Sequence, residues 1–266
     1  MRVAVIGHIE WCEFVRVERM PLAGEIADAS AYTEEPAGGG AVAAVQMARL
    51  AGHCDFFTAL GDDQAARRSI DRLGSLGVTV HAAKRFEPTR RAWVYLDTQG
   101  ERTITVIGKK LVPALDDPLS WDVLDAADAV FFVAGDDGVL GRARGARLLG
   151  ATTRSLPPGP GVGLDVAIGS SNDVSEAFAP GDLKPPPGLS VWTNGAAGGR
   201  WLTADGREGM YKAAELPGAV ADSYGAGDSF AAATTFALGR GDSIEDALAL
   251  GARCGAEQLT RSGPYA

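Results

Sequence analysis

Histidine and cysteine each occur only three times in 266 residues, and that scarcity closes off several kinds of chemistry. Cys12, Cys54 and Cys254 are too few and too scattered for a disulfide framework or a Cys-x-x-Cys metal site. They read as small apolar fillers in a chain suited to a reducing cytosol. His8, His53 and His81 show no metal-ligand spacing. His53 and His81 read as surface residues at turns, whereas His8 and Trp11 read either as pocket-lining residues, with a polar tip and an apolar face, or as packing residues. Basic residues are in deficit, 25 Lys and Arg against 34 Asp and Glu, for a formal charge of −9. Neutralising nucleic-acid phosphates takes clustered cations, so the expected partner is a small molecule. No apolar run reaches the ~20 residues that span a bilayer. The opening "MRVAVIGHIE" has neither the h-region nor the cleavage site of a signal peptide. The expectation is a cytoplasmic protein with no membrane partner. There is no Walker A loop, since "GKKL" at 108–111 lacks both the upstream glycine and the Ser or Thr, and there is no internal repeat.

What is present is a chain with 46% hydrophobic residues, enough to fill the core of one α/β domain over residues 1–266. "VAVIG" (3–7) is a continuous apolar run, as a strand buried on both faces would be. "GAVAAVQMARLAG" (40–52) reads as a helix with glycine just past its end. "CDFFTALG", "DAVFFVAG" (128–135), "GVGLDVA" (161–167) and "LSVWTNG" (189–195) read as further strands, and "DQAARRSIDRLGSLG" as a helix. The alternation predicts a mainly parallel sheet covered by helices on both faces. Two segments break the rhythm, 11–36 and 90–108. Their alternating polarity and the "DTQGER" turn predict hairpins forming a flap over the sheet. "SLPPGPGVG" (155–163) and "KPPPG" (184–188) are Pro-rich loops too short to be interdomain linkers.

The stretch "DSYGAGDSFAAA" (222–233) places glycines where a loop becomes a helix. Backbone amides there carry unpaired N–H donors and the positive end of the helix dipole, so Gly225, Ala226 and Gly227 would form an anion cradle. Asp228 follows at once. It is placed either to take a proton from a hydroxyl attacking a phosphoryl group or merely to support the helix terminus.

The string D-S-Y-G-A-G-D closely resembles the D-[TS]-x-G-A-G-D signature of the ribokinase-like (PfkB) carbohydrate kinases. Other segments resemble that family in the same order. "GHIEW" is similar to the start of its sugar site, and "AGGGAVAAVQMARLAG" to its Gly-Gly motif and helix. "GERTITV" resembles the returning lid strand, "TNGAAGG" (193–199) the nucleotide loop, and "GARCGAEQLTRSGP" the helix and loop closing over adenine. The resemblance implies a Rossmann-like, mainly parallel sheet flanked by helices, with a small β-sheet lid. It implies phosphorylation of a sugar hydroxyl by ATP with Mg²⁺, and in many members K⁺.

Carried onto this chain, the resemblance makes Asp228 the catalytic base and the amides of Gly225, Ala226 and Gly227 the anion hole. Gly38, Gly39, Gly40 and Ala43 would lie along the sugar, and Asn172, Thr193, Gly195 and Gly198 along the nucleotide. Asp222, near the loop at Gly263, would sit by a monovalent cation. The family commonly carries N-x-x-E, whereas "NDVSE" spaces Asn172 and Glu176 one residue further apart, so that either Asp173 or Glu176 substitutes through a local shift or metal handling is weakened. The amide side chain expected after the Gly-Gly motif is replaced by Val42, Ala43 and Ala44. The acceptor is therefore expected to turn an apolar portion toward Val42 and Ala43, with Glu10 or Glu13 binding its hydroxyls. A nucleoside kinase, with Trp11, Phe14 and Tyr95 walling a base, and a catalytically weakened sensor are the alternatives. Strand edges of the lid make a lid-to-lid homodimer plausible.

Overall fold

The computed structural model describes residues 1–156 and 161–265. The middle of the 155–163 loop therefore lies outside the described residues. The first strand, β1 (Val3–Ile6), is buried along its whole length. Its side chains alternate between two apolar clusters, Val3 and Val5 in one and Ala4 and Ile6 in the other. A strand with period-2 side chains can be apolar throughout only when both faces are covered.

Strands β2 (Glu10–Arg16) and β3 (Ala31–Ala37) follow, and then helix α1 (Gly39–Ala51), whose end is fixed by Gly52 in the left-handed conformation. β4 (Cys54–Gly61) leads to α2 (Gln64–Ser75), where the Asp63 side chain accepts from Ala66 N at the first turn. β5 (Val78–Arg85), β6 (Arg91–Leu96) and β7 (Arg102–Ile107) come next. β8 (Ala129–Phe132), α3 (Asp137–Ala143), β9 (Leu149–Thr152), β10 (Val166–Ser170) and β11 (Leu189–Thr193) continue the alternation. The chain ends with β12 (Gly199–Thr203), β13 (Glu208–Tyr211), α4 (Ala226–Arg240) and α5 (Ile244–Leu259).

These elements form two sheets. The larger runs β13-β12-β11-β10-β9-β8-β1-β4-β5, parallel from β11 to β5 and closed at one end by the antiparallel β12–β13 hairpin. Helices α1 and α4 cover the face bearing Val3 and Val5, while α3 packs on the face bearing Ala4 and Ile6. The smaller sheet runs β3-β2-β6-β7, with β2 parallel to β6 and antiparallel pairs outside. Both lid segments expected from the sequence thus enter one sheet separate from the parallel core.

Several local expectations are corrected. The β12–β13 hairpin and the short strand β9 went unread, and β10 begins at Val166 rather than near 161. His81 is not at a turn. It lies within β5, stacks on Phe57 at 4.5 Å and bonds Asp55 through Nε2 at 2.8 Å.

Candidate active site

The loop before α4 is held by a buried carboxylate. Asp222 is 0% exposed and accepts from Tyr224 N at 2.8 Å and Gly263 N at 3.1 Å. Burial pushes its pKa up against the pull of those two hydrogen bonds. Tyr224 then reaches across to the lid and to α1. Its hydroxyl accepts from Gly38 N at 2.9 Å, and its ring meets Phe14 edge-on at 5.1 Å. Arg16 of β2 adds a bond to Ala221 O at 2.9 Å, and Arg102 of β7 donates to Ser223 O. Gly225 takes φ of 77°, with Val42 against it, so the chain can turn there into α4 without a side chain. The first helical bond is Ser229 N to Gly225 O at 2.9 Å, which leaves the preceding amides at the helix mouth.

That mouth opens into a cleft of about 480 Å³ between the two sheets. Gly225, Gly227 and Asp228 line it, and a side chain built on Gly227 would meet nothing within 4 Å. Asp228 keeps an accessible edge toward the cavity while protein surrounds the rest of it. Burial, with Glu176 adding to it, raises its pKa to about 6 against the pull of Arg102 and Arg154. It has no hydrogen-bonding contribution from the described residues. A carboxylate with free lone pairs and a pKa near neutrality is equipped to accept a proton.

His8, Glu10, Arg90 and Lys110 are among the residues lining the cleft. Glu10 is 8% exposed, and its Oε1 lies 3.2 Å from Arg90 Nε and 3.9 Å from His8 Nε2. Burial raises the Glu10 pKa against Arg90 and Lys110. Burial, with Lys110 and Arg90 behind it, lowers that of His8 to about 3, so its ring is neutral at pH 7. Glu13, by contrast, falls outside the cleft lining and bonds Tyr32 and Arg91 on the lid. The reason is strand alternation, which puts Glu10, Cys12 and Phe14 on one face and Glu13 on the other. Trp11 is likewise turned away, buried under the Arg68 guanidinium at 4.2 Å. Phe14 is taken up by Tyr224, and Tyr95 does not line the cleft. The apolar lining comes instead from Ile104 and Val106 of β7, Ile168 of β10 and Val133 just past the end of β8.

Of the Gly-Gly motif, Gly38 and Gly39 line the cleft. Gly40 does not, because it packs on the backbone of His8, where an added Cβ would lie 2.7 Å from His8 O. Ala43 is fully buried and Val42 nearly so, so neither faces an acceptor. The expectation of an apolar surface there is overturned by the helix phase, which turns both residues into the core.

The cleft is also lined by Thr152, Arg154, Asn172, Asp173, Glu176 and Thr193. Arg154 bonds Glu176 Oε1 through Nε and Nη2 at 3.0 and 2.8 Å, and also reaches Asp173. Ser175, in the place where the family pattern expects Glu, caps Asp173 through its own amide and hydroxyl at 2.9 and 2.6 Å. Gly195 stands beside Asn172, with an added Cβ 3.8 Å from Asn172 Nδ2. Gly198 does not reach a cofactor position; it serves the β11–β12 turn, where a Cβ would collide with Tyr211 O. Helix α5 is also absent from the cleft lining and packs along α4 through Gly251 and Gly255.

Among the described residues no three His, Cys, Asp or Glu side chains converge as a metal cage. Asp173 and Glu176, the carboxylates expected to handle metal, both line the cleft, where Arg154 engages both and Ser175 caps Asp173. Asp222, expected beside a monovalent cation, has each of its oxygens engaged by one backbone amide, which gives it a structural role in the loop.

The pfkB family carbohydrate kinase profile matches residues 1–140 and 181–266, most of the chain. The protein belongs to the pfkB family. A ribokinase from Dictyostelium discoideum is 26% identical over 108 residues, which is 40% of this chain and 34% of that protein. The matched segment therefore spans about a third of that relative. Among solved structures, Arabidopsis thaliana ribokinase, complexed with ribose and ATP, aligns with a TM-score of 0.77 at 21% identity, covering 98% of this chain and 93% of its own. Thermotoga maritima ribokinase gives 0.77 at 20%, covering 100% and 95%. A nucleoside kinase from Methanocaldococcus jannaschii gives 0.74 at 16%, covering 100% and 94%. At these identities the structures establish the shared fold. No helix among the described residues is long and apolar enough to cross a membrane.

Within this pfkB-family cleft, sequence reading missed four cations, Arg90, Arg102, Lys110 and Arg154. A signal existed for three of them, since Arg90, Arg102 and Lys110 stand at or just beyond the ends of the lid strands. Nothing in the sequence around Arg154 marked it.

Proposed function

We propose that this protein transfers the γ-phosphoryl group of ATP to a hydroxyl of a small sugar-like acceptor, with the four-stranded sheet as lid of a single catalytic domain. The observation that carries the reading is Asp228, a carboxylate free of hydrogen bonds from the described residues, with its pKa raised to about 6, at the glycine-lined mouth of α4. The acceptor hydroxyl oxygen forms a bond to the γ-phosphorus, its proton passes to Asp228, and the bond to the bridging β,γ-oxygen breaks to release ADP. The amides of Gly225, Ala226 and Gly227 donate to the transferring group, a contribution typically worth ~3 to 4 kcal/mol per donor when removed singly. Thr193, Asn172 and Gly195 stand on the nucleotide side. Glu10 and the edge of Gly38 and Gly39 stand on the acceptor side. Asp173 and Glu176 are the cleft carboxylates that would serve a Mg²⁺ entering with ATP, which would neutralise charge on the triphosphate.

The nucleoside reading loses support because Trp11, Phe14 and Tyr95 do not wall the cleft. The exposed side chains Tyr32, Trp93 and Ile107 on the lid, together with the free edge of β7, favour pairing of two copies there. Three free, buried cysteines accord with a cytoplasmic location. The test is Asp228→Asn: phosphoryl transfer should fall by ~10² to 10⁴ with ATP binding retained. Unchanged turnover in that variant overturns the assignment.

A further inference from the structure

The start of α1 is seated without slack. A Cβ on Gly40 would lie 2.7 Å from His8 O, one on Gly39 2.7 Å from Asp228 Oδ1, and one on Gly38 3.2 Å from His8 Cδ2. A run of three glycines cannot hold so close a fit by itself, because its backbone has wide conformational freedom. Something outside must pin it. Gly38, with φ of 86°, precedes the first turn and has no side-chain cap. Its buried amide donates instead to the Tyr224 hydroxyl at 2.9 Å, a bond that joins the mouths of α1 and α4. Tyr224 is itself fixed at several points. Its amide donates to Asp222 Oδ1 at 2.8 Å, its carbonyl accepts from Gln258 Nε2 at 3.2 Å, and the Arg102 guanidinium lies 5.8 Å from its ring. Burial pushes its pKa far above the ordinary tyrosine value, so the hydroxyl stays neutral, with Cys12 Sγ as its other polar neighbour at 3.6 Å.

We propose that Tyr224 is a positioning residue for phosphoryl transfer, whose hydroxyl pins the Gly38 amide and thereby sets the spacing of the α1 and α4 mouths and the station of Asp228. The inference rests on the phosphoryl-transfer reading for the part Asp228 plays, and on geometry alone for the pin. Packing does not account for the hydroxyl. The ring meets Phe14 edge-on whether or not it carries an oxygen, whereas the Gly38 amide would lie buried and unpaired without one. Once unpinned, the Gly38 and Gly39 peptides can rotate away from Asp228, since neither carries a side chain to resist. Water then reaches the carboxylate. The burial that raises its pKa to about 6 is relieved, and the carboxylate loses its fixed place against the cleft.

The test reads the Asp228 carboxyl directly, by ¹³C NMR titration of Asp-labelled protein, with Asp228→Asn to assign the resonance. In Tyr224→Phe its pKa should fall from about 6 toward the ordinary aspartate range. In Phe14→Leu, which disturbs the ring contact and keeps the hydroxyl, it should stay in place. Turnover gives a second readout, with ATP, Mg²⁺ and whichever of ribose, fructose or adenosine is phosphorylated. Tyr224→Phe should lower kcat about 10-fold and leave the KM for ATP unchanged. Gly39→Ala displaces the same carboxylate at a cost of ~10², so the double variant should lose ~10² rather than the ~10³ expected of independent sites. If none of the three is phosphorylated, the titration decides alone. An unmoved titration in Tyr224→Phe, equal movement in Phe14→Leu, or a multiplicative loss in the double variant overturns the positioning role, even where Asp228→Asn abolishes turnover. A titration moved by Tyr224→Phe alone, with Asp228→Asn turning over normally, supports the pin and overturns the reading of Asp228 as base.

Discussion

Asp228 and Gly39 face each other so closely that a methyl group on Gly39 would come within 2.7 Å of Asp228 Oδ1. The glycine at the start of α1 thus leaves room for the carboxylate at the start of α4. Gly39→Ala should push Asp228 off its position, because Val133 stands on the other side of the added methyl at 3.2 Å. A displacement of about 1 Å costs ~10² in rate in well-aligned sites. The expected outcome is a kcat loss of that order with Tm little changed. Full activity in Gly39→Ala would show that the carboxylate has no fixed station.

The raised pKa of Asp228 gives a pH dependence with a defined sign. A base that is protonated below about 6 should make kcat/KM fall roughly tenfold per pH unit beneath that value. Stability runs the opposite way. A carboxyl whose folded pKa is above its unfolded value takes up protons on folding, so its contribution grows as pH falls from about 6 toward the ordinary aspartate value of 3.8. Asp228→Asn removes the cost of the buried charge, at most about 3 kcal/mol. Its Tm should exceed that of the parent at pH 8, and the gap should close by pH 4. A gap that is constant across this range contradicts the assignment, and the comparison is free of any titration of ATP.

Gly227 looks into open space, which separates ligand handling from folding. Gly227→Val should leave Tm nearly unchanged and raise the KM for ATP, since a branched side chain would occupy the approach to the helix mouth. Scanning calorimetry and ATP titration on one sample decide it. Unfolding, or normal ATP saturation, would each disagree with an anion site there.

Asp222 should behave as a structural tie. Asp222→Ala strands the amides of Tyr224 and Gly263, and the expected loss is ~2 to 4 kcal/mol in denaturant unfolding, the same in KCl as in NaCl. A variant of unaltered stability whose activation by K⁺ has vanished would restore Asp222 as a cation ligand.

While β9 and the β12–β13 hairpin escaped it, the sequence by itself determined the alternation of strands and helices through most of the parallel sheet, the separate lid, and the glycine turn into α4. It could do so because each depends on local periodicity or on a conformation only glycine adopts readily, as at Gly225 with φ of 77°. It also singled out Asp228 through its neighbours in the chain. What only the tertiary structure decided was which charges meet. Glu10 and Glu13 are three residues apart, yet the pleat of β2 sends one into the cleft and the other to Tyr32 and Arg91. Ala43 follows the Gly-Gly motif in sequence, but the phase of α1 buries it. Arg90 and Lys110 are separated by two lid strands and come to one wall only because β6 and β7 fold back antiparallel. Arg154 joins Asp173 and Glu176 from a different strand end altogether. Local pattern carries no information about such encounters, because they are set by sheet register and by the crossing of distant segments.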